Sequence, residues 1–442
     1  MKFKFNLSFR SLHWEWHATF ILILCIINFA QSQDRCGTVE YTRQLKKNGF
    51  LHESDEQFEQ WLNEKIQKQK KDGKEKRTQI SSHKIPVVVH IIHNGEAVGV
   101  GTNLSDAQVF SQLEVLNKDF RRLNRDAVNT PPEFQPVAGT SSIEFLLAQT
   151  DPNGMPTTGI NRVLGSKPEY TIADNIELTS QSYWPAENYL NIWVCQLTDR
   201  YGFTQFPVST LPGLENSSQN RLTDGVIISF EVFGSSDYGN FPLHPIYSKG
   251  RTATHEIGHF FGLRHMWGDV SNCQGTDYVD DTPPQAYETI GCPPHPQKEC
   301  PLSDPVNKMF QNFLDYTDDV CMNLFTQGQV DRMITVLENC PRRASLLLPL
   351  SPIQPEWQFP KIFSPNGDGI NDFWRWTNTL QYDGCKLIVY NRFGKAVYEI
   401  TSYDNSWDGR SNTGQPLEED AYYFIIKCDS QKDITGAVRI VR

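Results

Sequence analysis

The chain has 442 residues, 38% of them hydrophobic and 21% charged, with a formal net charge of −11 at pH 7. That length and apolar share suit two globular domains plus removable ends. The acidic balance disfavours nucleic-acid binding, which needs a dense basic face, and instead favours a soluble surface that attracts basic peptides.

At the N-terminus, Lys2, Lys4 and Arg10 precede an apolar run from Phe20 to Ala30. The run is too short to span a bilayer comfortably and has the form of a signal-peptide core, with small residues Ala30 and Ser32 placing cleavage after Ser32. No other stretch approaches transmembrane length, so no stable membrane span is expected in the mature form. Residues 33–77 read as a pro-segment. Its second half, Glu64 to Arg77, is polar, basic and interrupted by Gly73, and predicts a cleavable connector cut near Arg77.

Beyond it the pattern is α/β. Strands are expected at 85–92, 142–148, 189–197 and 225–230, with a helix over 106–120 whose Val109, Leu113, Leu116 and Phe120 recur at helical spacing as core. The stretch His255-Glu-Ile-Gly-His-Phe-Phe-Gly-Leu-Arg-His265 carries the chemistry. On a helix, His255 and His259 project from one face towards a single metal. Gly262 lets the chain leave the helix and swing His265 round as a third nitrogen ligand. The fourth position is left to water, and Glu256 is placed to take its proton during attack on a peptide carbonyl. In Gly250-Arg-Thr-Ala-Thr254, a threonine is expected to cap this helix.

After the helix, Cys273, Cys292, Cys300 and Cys321 lie in a Pro-rich stretch that needs stapling; poor ligand spacing argues against a second zinc site with His295. Asp277 to Thr282 offers carboxylates and a hydroxyl, the hard donors calcium prefers. Pro349 to Pro355 reads as a stiff linker. Short β-rich runs at 386–390, 395–400 and 421–426, separated by glycine turns, suggest a small antiparallel sandwich. Cys195, Cys340, Cys385 and Cys428 stay unassigned, though Cys385 with Cys428 could close that last domain.

The eleven-residue zinc stretch is the metzincin signature. With Asn191-Ile-Trp-Val-Cys195, Gln205-Phe-Pro207, Gly250 to Glu256 and Arg264-His-Met-Trp-Gly-Asp269, residues 84–345 resemble the cytophagalysin and pappalysin-like metzincins. The resemblance implies a mixed twisted sheet, a zinc helix and an irregular disulfide-stapled subdomain with pairs Cys273–Cys300 and Cys292–Cys321. It implies that Leu314 stands where these enzymes carry a turn methionine, that Tyr316 donates its hydroxyl to the developing oxyanion, and that Asp277, Asp281 and Thr282 bind calcium. An edge strand is expected to hold substrate in extended form. Arg35-Cys36-Gly37 resembles a cysteine switch, in which the thiolate of Cys36 occupies the water position. Asp319, just before Cys321, resembles an acidic pocket floor, implying cleavage before arginine or, less well, lysine; a one-residue shift would put Val320 there instead.

Residues 359–442, with Ser364 to Asp372, Asn391-Arg-Phe-Gly394 and Trp407-Asp-Gly409, resemble the C-terminal sorting domain of Bacteroidetes gliding-motility and type IX secretion substrates. The expected order is therefore a signal peptide 1–32, pro-segment 33–77, α/β metalloprotease domain 78–348, linker 349–358, and an all-β Ig-like sandwich 359–442 that engages the secretion machinery. The expected product is a secreted zinc endopeptidase, extracellular or attached to the cell surface, acting on proteins or peptides. The competing reading is a catalytically silent secreted adhesin that kept a metalloprotease fold.

Overall fold

The computed structural model describes residues 34–72, 82–212, 221–300, 306–347, 359, 361–366, 372–374, 384–403, 406–428 and 433–442. The expected signal peptide, the processing site near Arg77, the linker and most of the 364–372 run lie outside them. In chain order the elements are β1 (Asp34–Cys36), α1 (Thr38–Lys47), α2 (Asp55–Asp72), β2 (His83–His93), α3 (Asp106–Phe120), β3 (Ile143–Leu147), β4 (Ile160–Leu164), α4 (Asn175–Ser180), β5 (Leu190–Cys195), β6 (Arg200–Thr204), β7 (Gly225–Ser229), α5 (Arg251–Phe260), α6 (Gln327–Asn339), β8 (Ile362–Phe363), β9 (Lys386–Tyr390), β10 (Ala396–Thr401), β11 (Ala421–Lys427) and β12 (Ile434–Ile440).

The first seven strands form one sheet in the order β1-β6-β7-β5-β2-β3, with β4 also on β2. Every residue of β5 and β7 is buried, which explains their largely apolar sequences: strands inside a sheet covered on both faces have no solvent-facing side. β2 is eleven residues long, enough to pair with β3 through 83–87 and with β4 through 89–93. All ladders are parallel except β6 against β7. α3 starts where Ser105 accepts from the amide of Gln108, and buries Val109, Leu113, Leu116 and Phe120 against the sheet and α5 as expected. Thr326 and Gln329 make a reciprocal capping box at the start of α6.

Two expectations are corrected. The connector was expected from Glu64 onward, but Glu64 to Asp72 continues α2, which packs on α6 with Gln69 bonded to Thr335 and Glu338. Its apolar residues Phe58, Trp61 and Leu62, three and four apart, give this polar helix one face to bury. The zinc-stretch helix has no threonine cap. Gly250, at φ 77°, is its N-cap, because a side chain there would meet Gln112 and the carbonyl of Gly234; Thr252 and Thr254 lie inside the helix, and Thr254 donates to Asp119.

The C-terminal region is all-β. Its described strands form a five-stranded sheet, β10-β9-β11-β12-β8, around Trp374, Trp407, Val389 and Phe424. Cys385 and Cys428 are disulfide-bonded across the end of the β9–β11 ladder, where Lys386 pairs with Lys427.

Candidate metal centre and substrate cleft

α5 ends at Phe260 because the chain turns left-handed at Gly262 (φ 83°), where a Cβ would lie 2.8 Å from Val336. That turn brings His265 back over the helix. The Nε2 atoms of His255, His259 and His265 converge to 3.1–3.2 Å of one another, all three residues being buried. Each Nδ1 is engaged elsewhere: His255 with the carbonyl of Phe313 at 2.7 Å, His259 with that of Leu263 at 2.7 Å, and His265 with the Asp269 carboxylate at 2.6 Å. These partners fix the Nδ1–H tautomer and leave three Nε2 lone pairs facing one point. Burial, with mutual repulsion, holds His255 well below its usual pKa and His259 down at about 3, so both stay neutral. Cys36 Sγ completes a set of four donor atoms all within 4.8 Å. Tetrahedral zinc with Zn–N bonds of about 2.0–2.1 Å would set its nitrogens about 3.3 Å apart, so the donor set fits.

Glu256 is fully buried. Its Oε2 accepts from the Thr38 hydroxyl at 2.8 Å, while Oε1 is buried without a partner. Burial pushes its carboxyl up to about 7. It approaches the sheet edge only because β6 carries Gly202 there, where a Cβ would lie 2.8 Å from Glu256 Cγ. The Tyr316 ring lies tilted to that of His255 and edge-on to those of His265 and Trp267, with centroids 5.7, 5.0 and 4.9 Å apart. Leu314 lies fully buried beneath α5, its side chain 3.1 Å from where a Cβ on Gly258 would sit. It fills the floor under the ligands with apolar volume.

β1 covers this site from the sheet edge. It adds in parallel to β6, pairing Asp34 with Arg200 and Cys36 with Gly202, so the edge expected to hold substrate is taken by the chain's own N-terminal strand. Arg35 plunges inward. Its guanidinium contacts Asp319 at 3.1 Å, donates to the carbonyl of Thr317 and lies 4.7 Å from the centre of the Tyr247 ring. Asp319 is fully buried whereas Val320 is 59% exposed, so Asp319 is the inward-facing residue. Its other oxygen accepts from the amides of Lys249 and Arg251, at the N-terminal end of α5 where amides lack helical partners and favour an anion. The Arg251 side chain makes its direct ion pairs with Asp119 at 3.1 Å and Asp126 at 3.0 Å rather than with Asp319. Thr38, Gly202, Asp119 and Asp126 carried no readable signal in the sequence; Asp269 stood at i+4 from His265 and was findable as a carboxylate within reach.

The paired cysteines are as the resemblance implied, Cys273–Cys300 and Cys292–Cys321. Cys195 and Cys340 are free and buried. His295 sits beside Glu133 and Phe134, away from any metal-like cluster among the described residues. In the acidic loop, Asp277 accepts from Thr282 and from the amide of Val279, and Asp281 accepts from the amide of Gly328 in the first turn of α6. Asp277 Oδ2 and Asp281 Oδ1 are each buried without a partner.

Residues 174–338 match the peptidase family described as pregnancy-associated plasma protein-A, and residues 357–440 match the type IX secretion signal domain. An extracellular metalloprotease of Neurospora crassa is 35% identical over 258 residues, 56% of this chain and 75% of the relative. Mature mirolysin of Tannerella forsythia, solved with a cleaved peptide, is 43% identical with a TM-score of 0.55, covering 61% of this chain and 97% of that one. A promirolysin mutant of the same organism is 38% identical with a TM-score of 0.56, and its match extends to 71% of this chain and 96% of its own. No helix among the described residues is long and apolar enough to cross a membrane. A three-histidine pocket closed by a cysteine, on a fold shared with these enzymes and followed by an export domain, places the chain in the pappalysin-like family of secreted zinc metallopeptidases that the pregnancy-associated plasma protein-A family represents.

Proposed function

We propose that the chain is the latent form of an endopeptidase that cuts before arginine and, less well, lysine. His255, His259 and His265 would hold the zinc, which when bound would supply Lewis acidity and bring the pKa of a water towards about 7. As water attacks the peptide carbonyl, Glu256 accepts its proton at Oε1 and passes it to the amine that leaves when the C–N bond breaks. The Tyr316 hydroxyl donates to the carbonyl oxygen as charge develops. β6 binds the substrate backbone, and Asp319 receives the guanidinium after the scissile bond.

The observation that carries this reading is the pair Arg35 and Cys36: one side chain lies on Asp319 while the next lies on the histidines. Arg35 is in effect a captured specimen of the side chain the pocket accepts. A substrate cut before arginine presents the reacting carbonyl first and the arginine next; β1 presents them in the opposite order, so substrate would run antiparallel to β6 where β1 runs parallel. A strand laid in reverse occupies the cleft without offering a bond to cut.

The test is peptide-library digestion by chain processed near Arg77, with and without a zinc chelator, beside Asp319→Asn. Chelator-sensitive cuts before arginine are expected, and Asp319→Asn should lower kcat/KM on arginine substrates by about a hundredfold while sparing the folded state by circular dichroism. An unchanged arginine preference in the variant defeats the pocket assignment.

A calcium ion at Asp277, Asp281 and Thr282 is part of the same proposal. It would satisfy the two orphan oxygens, and without it burial pushes the Asp277 carboxyl up to about 7. Calcium at about a hundred times its Kd is expected to raise Tm by roughly 5 °C or more, an effect lost in Asp277→Asn. A calcium-independent melting temperature would remove the site.

A further inference from the structure

α2 does more than follow the latency strand. Glu59 grips Arg332 with both oxygens, at 2.6 and 2.7 Å, and also accepts from Arg264 Nε at 2.6 Å; Asp55 adds a second contact to Arg264 at 3.2 Å. These are side chains with little exposure, 2% for Arg332, 6% for Glu59 and 16% for Arg264. Beside them Phe58 fills a hollow formed by Val336, Cys340 and Phe206, its ring 5.4 Å from that of Phe206. All ion-pair partners of Arg264 and Arg332 among the described residues belong to α2.

Both arginines border the metal centre. Arg264 directly precedes His265, and Arg332 donates to the carbonyl of Gly262, the turn that aims that histidine. When the pro-segment leaves, two guanidiniums fixed by protein contacts lose their carboxylates and an aromatic-lined hollow opens next to them.

We propose that this surface is an exosite of the processed enzyme for an acidic segment of its protein substrates, a carboxylate held by Arg264 and Arg332 with an adjacent aromatic side chain in the hollow that Phe58 leaves. The proposal rests on removal of the pro-segment as read above. Charge complementarity argues for this occupant: α2 is a working example of the ligand, an aromatic-Glu pair on one face of a helix. Arg264 is braced over Phe206 at 5.0 Å and Arg332 by its bond to Gly262, so both forks remain pre-organised for a carboxylate.

The probe is a fluorescein-labelled peptide of residues 55–72, titrated into zinc-loaded processed enzyme and read by anisotropy. Saturable binding is expected, weakened at least about tenfold by Glu59→Gln in the peptide or Arg264→Ala in the enzyme. In parallel, two substrates share one arginine cleavage segment, and one of them carries the 55–72 sequence on a flexible linker. The extended substrate should show a KM at least about tenfold lower than the short one, and Arg264→Ala should bring the two KM values together. Equal binding of the Glu59→Gln peptide, or equal KM for the two substrates, overturns the exosite. Failure to cut either substrate would instead defeat the proposed function, and the anisotropy arm would still decide the exosite.

Discussion

Glu256→Gln is expected to lower kcat/KM on an arginine-containing peptide by about 10²–10⁴-fold while zinc content and melting temperature stay near wild type. Glutamine keeps the shape of the side chain, but it has no carboxylate to take a proton. The surroundings of Glu256 support that proposed role. Oε1 has no partner, the carboxyl is fully buried, and Gly202 in β6 exists at the one place where a larger residue would push Glu256 off the sheet edge. A silent adhesin would bring no activity to lose. Wild-type and variant chains both inert when zinc-loaded and processed would therefore favour that reading over the enzyme, whereas equal measurable activity in the two would remove Glu256 as the base.

The second large effect concerns latency. Full-length Cys36→Ala is expected to hydrolyse a quenched arginine peptide without processing, at tens of times the rate of the unprocessed wild type. The thiolate is a stronger and softer zinc ligand than water, and in β1 it is delivered at no search cost. In the absence of a cation, burial and then the Glu256 charge push the Cys36 thiol well above its usual pKa; a coordinating cation reverses that balance and deprotonates it. Arg35→Ala should release latency only partly, because Asp319 keeps its two amide donors at the start of α5 and Cys36 keeps its place. A Cys36→Ala chain as silent as the wild type would mean that the blocked β6 edge alone maintains latency.

How much of this was legible without coordinates differs from element to element. The helix over 106–120 and the strand after 225 announce themselves because periodicity and an unbroken apolar run are local properties, set by which faces are buried. β4 was missed because its burial is partial throughout, leaving no alternation to read. α2 was misjudged from Glu64 onward for a related reason: a basic, polar tail looks unstructured unless the contacts of Gln69 with Thr335 and Glu338 on α6 are in view.

The zinc set is the part that the sequence alone determined, since helical geometry and one glycine turn fix three imidazoles within eleven residues. The same holds for the two Pro-rich disulfides once the family pattern was matched, and for the export domain through its turn motifs. Tertiary structure decided everything that depends on residues far apart in the chain. Arg35 meets Asp319 across 284 positions and Cys36 reaches His255 across most of the fold, because β1 joins the free edge of a sheet whose other strands come later. Such pairings are chosen by which backbone edge is left unsatisfied and which buried charge still needs a partner. Neither quantity exists until the sheet has formed.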